Sequence, residues 1–335
     1  MLDRRQLLAT AIAGLAGGGL TAGGARAAAG PPVKVRYNEV VHSLFYAPAY
    51  VAIARGYFKD AGLDVTMTTA NGGDKSMAAL LTGAADIALM GPEAPIYVLN
   101  SDSPDKVRIF SGLTATDGYL LVARERTDAF DWRSLKGKEV MGWRPGSTPL
   151  LFLEAALRLA GLDPRSDVSL VTNIAPPARA GAWLAGQTQY AIFAEPDAAQ
   201  LALDGKAHIV ASVGQTVGQI DYTAFMATDR YLKANPTVVQ AWTTAIAQGM
   251  QWTADAPTAE LVAALLPFFP GVSDAAMAAG AERYRKLRIW KTTTTIEPAA
   301  IERFQDILVQ ANVLDASKRV KYADLVVPEF ARKAG

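Results

Sequence analysis

The chain has 335 residues, of which half are hydrophobic, and its 33 Lys and Arg against 32 Asp and Glu leave a formal net charge of +1. This balance gives no sign of the basic surface that a nucleic-acid partner requires, so we expect no such partner. The chain contains no cysteine and only two histidines, which excludes disulfides, thiol catalysis and a lipidated cysteine, and argues against a histidine-rich metal site. We expect no cofactor.

Residues 1–27 have the pattern of an export signal. Arg4 and Arg5 precede an apolar but glycine-rich stretch over 7–20, and Ala25-Arg26-Ala27 provides a small-residue cleavage motif. That stretch is too short and too often interrupted for a membrane anchor. The paired arginines indicate the twin-arginine (Tat) route, with the Sec route as the alternative. Cleavage near Ala27 would release a free periplasmic protein and change the net charge to −1, since three arginines and one aspartate leave.

Strand and helix patterns then alternate over two sets of elements. The first set has strands over 33–38, 63–69, 86–90, 107–113 and 119–123, with helices over 46–57, 76–81 and 94–99. The second set has strands over 139–143, 168–172, 190–193 and 208–211, with helices over 149–160, 177–185 and 197–203. Such alternation predicts an α/β fold in which mainly parallel sheets are flanked by helices. The mature length favours two lobes.

A strand over 222–228 and a helical tail follow, with helices over 236–254, 259–268, 273–285 and 298–311. We expect the strand to return the chain to the first lobe, which the tail then covers. Lobe I would comprise 33–122 and 223–335, and lobe II 123–222. Two crossings, near 119–126 and 218–222, would form a hinge, and a hinge between α/β lobes suits closure around a small ligand.

The loop after the strand over 139–143 is the strongest ligand candidate, because ligands of such folds bind at the carboxyl ends of strands. Here Thr148 is the predicted N-cap and Pro149 the first helical residue, so that free N–H groups face an anion. Arg144 would add a bidentate contact to an acid group, with Gly146 and Ser147 between them. The alternative is a capped helix with Arg144 in solvent.

Three carboxylates also follow strands. Glu93 could accept hydrogen bonds from an amine or a pyrimidine amino group, and Glu195 and Asp117 present the same choice. If two of the three face inward, the ligand carries hydrogen-bond donors or positive charge. The alternative is that each glutamate favours a helix start through the helix dipole, and that Asp117 shapes a turn.

Aromatic residues beside these loops could stack on a planar ring. They are Tyr46, Trp143 and Tyr222, although an aromatic residue at a strand end also serves as core. The remaining strand-end candidates are His42, Ser43, Gly72, Gly73, Pro92, Thr114 and Asn173.

Several motifs carry a resemblance to a known family. They are HSLFYAP at 42–48, AxxRGYFxxAGLDV at 52–65, LxGxxDIA at 81–88, LKGK at 135–138 and NP at 235–236. Their order and content resemble periplasmic substrate-binding proteins of ABC importers, in the nitrate, sulfonate, taurine and thiamine-pyrimidine-precursor-binding branch.

The resemblance implies a two-lobed type II periplasmic binding fold and a monomer that is not an enzyme. This protein would bind a small solute and deliver it to an ABC permease and its ATPase. The resemblance implies that, in sulfonate binders of the family, the helix start corresponding to the one at Thr148 holds the acid group.

We rank an aromatic or heterocyclic solute with a polar or acidic group first, and an aliphatic sulfonate, taurine or nitrate second. Outside transport, the alternatives are a periplasmic ligand sensor and an enzyme like the pyrimidine synthases. The resemblance implies that such an enzyme needs a histidine- and cysteine-rich site, and this chain has no cysteine.

Overall fold

The structure, a computed structural model, describes residues 31–334, so the predicted signal over 1–27 lies outside the described residues. Within that range no helix combines the length and apolar character that crossing a membrane requires. The strands are β1 (Val33–Glu39), β2 (Leu63–Thr69), β3 (Ile87–Met90), β4 (Val107–Thr114), β5 (Leu120–Ala123), β6 (Glu139–Met141), β7 (Ser169–Val171), β8 (Tyr190–Phe193), β9 (His208–Ser212) and β10 (Thr223–Thr228).

Helices connect and flank these strands. They are α1 (Ala47–Ala54), α2 (Tyr57–Asp60), α3 (Gly73–Leu81), α4 (Glu93–Leu99), α5 (Thr148–Leu159), α6 (Arg179–Leu184), α7 (Asp197–Leu203), α8 (Val213–Val217), α9 (Asp229–Ala234), α10 (Pro236–Asp255), α11 (Thr258–Leu265), α12 (Asp274–Leu287), α13 (Pro298–Gln310), α14 (Tyr322–Leu325) and α15 (Glu329–Ala334). Short 3-10 turns lie at Leu44–Tyr46, Trp132–Leu135, Pro176–Ala178, Leu266–Phe268 and Ala316–Lys318.

Two five-stranded sheets carry the fold, with strand orders β2-β1-β3-β10-β4 and β7-β6-β8-β5-β9. In the first sheet β10 alone runs antiparallel to its neighbours, and in the second sheet β5 does. Each of these is the strand on which the chain arrives from the other sheet, so it enters from the opposite end. The prediction of mainly parallel sheets flanked by helices is confirmed.

The chain passes between the sheets twice, over 115–119 after β4 and over 218–222 before β10. The strand predicted over 222–228 does return to the first sheet. The strand predicted over 119–123 was grouped with the first set, but it is β5 of the second sheet, so the first crossing lies before it and not over 119–126. The tail reaches further than predicted, however. Helix α10 packs on α1 beside the first sheet, whereas α12 contacts α7 and α13 contacts α5, both of which flank the second sheet.

Most predicted elements are present, and the differences have local causes. The helix predicted over 46–57 ends at Ala54, because Gly56 takes a left-handed conformation with φ of 78° and starts a separate turn. Helix α3 begins three residues before its predicted start, at Gly73. Helices α8, α9, α14 and α15 were not predicted, since each is too short to show a helical period.

Candidate functional site

A cavity of about 720 Å³ lies between the loops that follow the strands of the two sheets. Its volume lies within the range of small-molecule pockets. The predicted site residues that line it are Tyr46, Gly72, Gly73, Glu93, Trp143, Arg144, Gly146, Ser147, Thr148 and Tyr222. The predicted residues absent from its lining are His42, Ser43, Pro92, Thr114, Asp117, Asn173 and Glu195.

Glu93 is the buried acid of this cavity. It is the first residue of α4, and 8% of its surface is exposed. Its Oε1 accepts a hydrogen bond from the Thr148 N–H across the cleft at 3.4 Å, while Oε2 has no partner within residues 31–334. Burial raises the pKa of the Glu93 carboxyl, and the N–H of Thr148 opposes that rise. A buried carboxylate oxygen without a donor is costly, which favours a ligand that donates to it.

Gly91 is what allows this approach of Glu93 to Thr148. A Cβ at position 91 would lie 2.0 Å from Glu93 Oε2 and 2.0 Å from Thr148 Oγ1. The hydroxyl of Thr148 is also buried and has no hydrogen-bond partner in the described part of the chain. The cavity therefore presents one acceptor and one hydroxyl side by side at the meeting point of the two sheets.

The start of α5 lies one residue earlier than predicted. Ser147 is the N-cap, so Thr148 and Pro149 occupy the first two helical positions, and the prediction of Thr148 as N-cap is wrong. The cause is the tight turn at Gly146, where φ is 75° and the Ser147 hydroxyl donates to the Arg144 carbonyl at 2.6 Å.

This shift removes the free donors that an anion would need. The Thr148 N–H donates to Glu93, Pro149 has no N–H, and the Leu150 N–H donates to the Ser147 carbonyl at 3.0 Å. The N–H groups predicted to face an anion are thus already paired or missing in this arrangement.

Contacts at the rim also join the two sides of the cleft. Arg144 Nη2 lies 3.2 Å from Asp74 Oδ1, so its guanidinium meets a carboxylate of the facing loop. The Tyr97 hydroxyl donates to the Gly146 carbonyl at 3.2 Å. Together with the Glu93–Thr148 contact, these bonds hold the loops of the two sheets against each other.

Aromatic side chains form much of the wall. The ring of Trp143 meets that of Tyr119 edge to face at 5.6 Å, and the Arg179 guanidinium lies over Trp143 at 4.7 Å. Neither Trp143 Nε1 nor the Tyr222 hydroxyl has a hydrogen-bond partner among the described residues. Burial raises the pKa of Tyr222 well above its ordinary value, so its hydroxyl keeps its proton. This wall suits a flat ring with polar edges.

His42 and Ser43 have structural roles in the loop after β1. His42 Nδ1 lies 2.6 Å from Glu39 Oε1, and its Nε2 lies 2.7 Å from the Phe268 carbonyl oxygen. Burial lowers the pKa of His42, but the hydrogen bond and charge of Glu39 outweigh it, so the net shift is upward. Ser43 caps the following turn by accepting from the Phe45 N–H. Neither residue lines the cavity, so the structure places both outside the site where they were predicted to contact ligand.

Glu195 faces the tail rather than the cavity. Its side chain is fully buried and forms an ion pair with Arg283 of α12, and its Oε2 accepts from the Ala199 N–H at 2.8 Å. Burial raises the pKa of the Glu195 carboxyl, and Arg283 opposes the rise. Its carbonyl accepts from the Leu44 N–H at 3.0 Å, which links the two sheets away from the cavity.

The other four predicted residues that do not line the cavity each have a different structural position. Asp117 turns inward within the first crossing, where its carboxylate accepts from the Tyr119 N–H. Thr114 is fully buried and bonds to Thr223 on the neighbouring strand at 2.7 Å between hydroxyls. Pro92 is the N-cap of α4, and Asn173 is exposed outside the cavity. Of the three predicted carboxylates, Glu93 alone lines the cavity, so the condition that two face inward is not met.

Sequence reasoning also missed part of the lining. One signal was available: Tyr97 lies four residues after Glu93 on α4, and Met77 and Leu81 follow Gly73 at the same interval on α3, so each set shares a helix face. The missed residues are Val40, Val41, Phe45, Asp74, Met77, Ala78, Leu81, Gly91, Ala94, Tyr97, Val98, Ser101, Tyr119, Pro145, Pro149 and Thr223.

Comparisons with known proteins identify a family and relatives that this chain is similar to. The family model described as NMT1/THI5 like matches residues 45–260. The Bacillus subtilis (strain 168) protein YtlA, whose name describes a binding protein, is 38% identical over 300 residues, which are 90% of this chain and 89% of YtlA.

Solved structures share the fold. The alkanesulfonate-binding protein SsuA of Xanthomonas axonopodis pv. citri, bound to MOPS, aligns with a TM-score of 0.72 and 20% identity over 90% of this chain and 100% of SsuA. The periplasmic nitrate-binding protein NrtA of Synechocystis PCC 6803 aligns with a TM-score of 0.77 and 16% identity over 90% of this chain and 88% of NrtA. At these identities the likeness shows a common fold and carries no ligand over to this chain.

Proposed function

The chain belongs to the NMT1/THI5-like family, and from that premise we propose that it is the solute-binding component of an ABC importer. Two lobes, one built on each five-stranded sheet, close around a small solute. The boundary predicted between residues 122 and 123 moves to the crossing over 115–119, because β5 belongs to the second sheet. The closed complex then delivers the solute to a membrane permease and its ATPase. The observation that carries this proposal is the cavity of about 720 Å³, whose lining comes from the loops of both sheets.

The site supports binding without covalent chemistry. Within the described residues the cavity lining contains no histidine that could act as a base beside Ser147 or Thr148. A twin-arginine signal over 1–27, cleaved near Ala27, would place the protein in the periplasm. There we expect it to act as a monomer. A periplasmic ligand sensor would use the same cavity. Binding to a membrane permease would distinguish an importer component from such a sensor.

The lining favours an aromatic or heterocyclic solute that donates a hydrogen bond to Glu93. The rings of Tyr46, Trp143 and Tyr222 offer flat surfaces, and Glu93 Oε2 offers an unpaired acceptor. A pyrimidine carrying an amino group, such as the thiamine precursor, is one example. An aliphatic sulfonate or nitrate remains the second candidate, because the relatives SsuA and NrtA bind such anions by name. Glu93 opposes that candidate, since it places a carboxylate at the start of α5.

A thermal-shift screen of the mature protein would test this proposal with pyrimidines, aromatic acids, sulfonates and nitrate. A ligand at about one hundred times its dissociation constant adds about 2.7 kcal/mol to the free energy of unfolding. We expect amino-substituted heterocycles to give the largest rise in melting temperature. A rise with sulfonates alone would reject the aromatic solute, and no rise with any solute would count against the binding function.

Glu93→Gln tests the role of the carboxylate directly. The amide keeps the side-chain volume but removes a charged acceptor, and a hydrogen bond to a charged group is worth about 1.5–3 kcal/mol. We expect the affinity for the solute found in the screen to fall by about tenfold or more, as measured by calorimetry. Glu125→Gln is the matched control, because Glu125 is exposed and lies outside the cavity lining. Unchanged affinity in Glu93→Gln would exclude this role.

A further inference from the structure

A second cavity, of about 480 Å³, lies against both crossings between the sheets. Ala115 of the first crossing and Gln219 of the second contribute to its lining, and it shares no lining residue with the first cavity. Met250 and Ala254 of α10 form an apolar side. The rest comes from the end of α12 and the residues that follow it. We call this cavity the hinge groove.

All the charged residues that line the hinge groove are cationic. They are Arg285, Arg288 and Lys291, and among the described residues no aspartate or glutamate lines the groove. The positive charge of Lys291 is balanced, because its Nζ forms an ion pair with the buried Asp221. Arg285 bonds to uncharged acceptors, donating to the Thr253 carbonyl at 2.8 Å.

Arg288 is the cation with the least compensation. It is exposed, and within residues 31–334 its guanidinium forms no ion pair. It is the C-cap of α12, in a left-handed conformation with φ of 53°. Glu282 and Asp255 act on the charge of Arg285 from outside the lining, and Asp221 pairs with Lys291, which leaves Arg288 as the lining cation without an ion-pair partner among residues 31–334.

The other polar groups of the groove complement an oxyanion. Thr292 and Thr293 bring hydroxyls, and Gln219 brings an amide. Guanidinium groups bind carboxylate and phosphate oxygens through paired N–H donors, and hydroxyls supply further donors. A single negative ion in this groove would relieve the repulsion among its cations.

Hydrogen bonds connect the groove to the hinge through the residues that follow α12. The Ala115 N–H donates to the Ile289 carbonyl at 2.7 Å, and the Lys291 N–H donates to the Leu113 carbonyl at 3.0 Å. Lys291 reaches the second crossing through Asp221, and the Ile220 N–H joins the two crossings by donating to the Ala115 carbonyl at 2.7 Å. Opening the cleft must change backbone angles in these crossings, and therefore the shape of the groove.

We propose that the hinge groove binds a small oxyanion of the phosphate or carboxylate class, and that the bound ion stabilises the closed cleft. In this structure the groove is present while Glu93 meets Thr148 and Arg144 meets Asp74 across the cleft. A ligand that fits the groove in this arrangement shifts the population toward it. Reciprocally, closure of the cleft raises the affinity of the groove for the ion.

Inorganic phosphate is the probe for the first half of the proposal. The mature protein is titrated calorimetrically with phosphate, with sodium chloride at matched ionic strength as the blank. Arg288→Asn is the test variant, since asparagine tolerates the left-handed conformation. Lys286→Asn is the matched control, because Lys286 is an exposed cation of the same helix outside the groove.

We expect wild type and Lys286→Asn to bind phosphate alike, and Arg288→Asn to bind it about tenfold more weakly or worse. Equal binding by Arg288→Asn would place phosphate elsewhere, for example in the first cavity, and would overturn the proposal. Absence of binding to wild type would overturn it as well.

Small-angle scattering tests the coupling to the hinge. Phosphate should reduce the radius of gyration of wild type and of Lys286→Asn, but not that of Arg288→Asn. Binding with an unchanged radius in wild type would reject the coupling. No solute is needed in either experiment, so their outcome is independent of whether the proposed importer function is correct.

Discussion

Gly91 is the residue on which the polar centre of the cavity most depends. An added Cβ would meet Glu93 Oε2 and Thr148 Oγ1 at 2.0 Å each, and both atoms are buried. We expect Gly91→Ala to lower the free energy of unfolding by about 1–3 kcal/mol, the usual cost of overpacking. The same change should weaken solute binding, because it forces Glu93 and Thr148 apart. Urea unfolding measures the first effect and calorimetry the second.

Gly73→Ala is the matched control for that substitution. Gly73 also lines the cavity, but a Cβ there would find nothing within 4 Å, and it is the first residue of α3. Alanine at a compatible glycine position stabilises by about 0.4–1 kcal/mol. Equal stability losses in Gly91→Ala and Gly73→Ala would show that the contacts at Gly91 do not determine the outcome.

Glu93 and Glu195 show what a single sequence could and could not predict about the site. Both follow a strand and stand beside a proline near a helix start, so local pattern assigns them the same role. What separates them is distant in sequence: Arg283 of α12 pairs with Glu195, whereas Thr148 of α5 approaches Glu93. Strand-end position therefore predicted the candidates, and tertiary packing decided between them.

At the scale of elements, α12 is held to the second sheet by the Arg283–Glu195 ion pair, with 0% of the Glu195 side chain exposed. Removing one partner of a buried pair costs about 3–5 kcal/mol, because the other charge is left uncompensated. We expect Arg283→Met to lose about that much free energy of unfolding at neutral pH, measured by urea unfolding.

The loss in Arg283→Met should depend on pH. Burial raises the pKa of Glu195 in the folded state, so the stability from this group is present at low pH and disappears as pH rises through the folded pKa. Arg283 opposes that rise in pKa, and without it the folded pKa moves higher still. The gap between wild type and Arg283→Met should therefore be larger at about pH 8 than at about pH 5. Lys286→Met, an exposed change on the same helix, should show neither effect, and a gap independent of pH would contradict the argument.

The sequence predicted element boundaries where the apolar pattern is clear. The prediction failed where a single turn determines the residue at which an element begins. Strand β2 and helix α7 begin and end at the predicted residues. The start of α5 shifted by one residue, because the turn at Gly146 puts Ser147 in the N-cap position, where its hydroxyl donates to the Arg144 carbonyl and accepts no N–H of the helix. That one residue moved the N–H of Thr148 onto Glu93, and so changed the expected chemistry of the cavity from anion binding to hydrogen-bond acceptance.

At the scale of the whole molecule, the alternation of strands and helices predicted two sheets, because each parallel strand needs a crossover helix. The sequence could not predict how α12 and α13 reach the second sheet, since amphipathic helices do not encode which surface they cover. These contacts bear on the hinge. A tail that packs on elements of both sheets must slide or bend when the cleft opens, so closure and tail packing are expected to change together.

Fluorescence energy transfer between dyes on two introduced cysteines tests closure of the cleft. The chain suits this experiment because it has no native cysteine. Lys59 lies on α2 beside the first sheet and Ser134 on a turn that packs against α5, and both are exposed. We expect dyes on Lys59→Cys/Ser134→Cys to change transfer efficiency when the best compound from the thermal-shift screen is added, since solute shifts the population toward the closed cleft. Lys59→Cys/Lys233→Cys places both dyes beside the first sheet and should show no change in transfer efficiency.

An equal response of the two dye pairs would mean that the solute alters the dyes or the fold and not the hinge. No response of either pair to a compound that binds would show that the two lobes do not move on capture, and the hinge would lose its role.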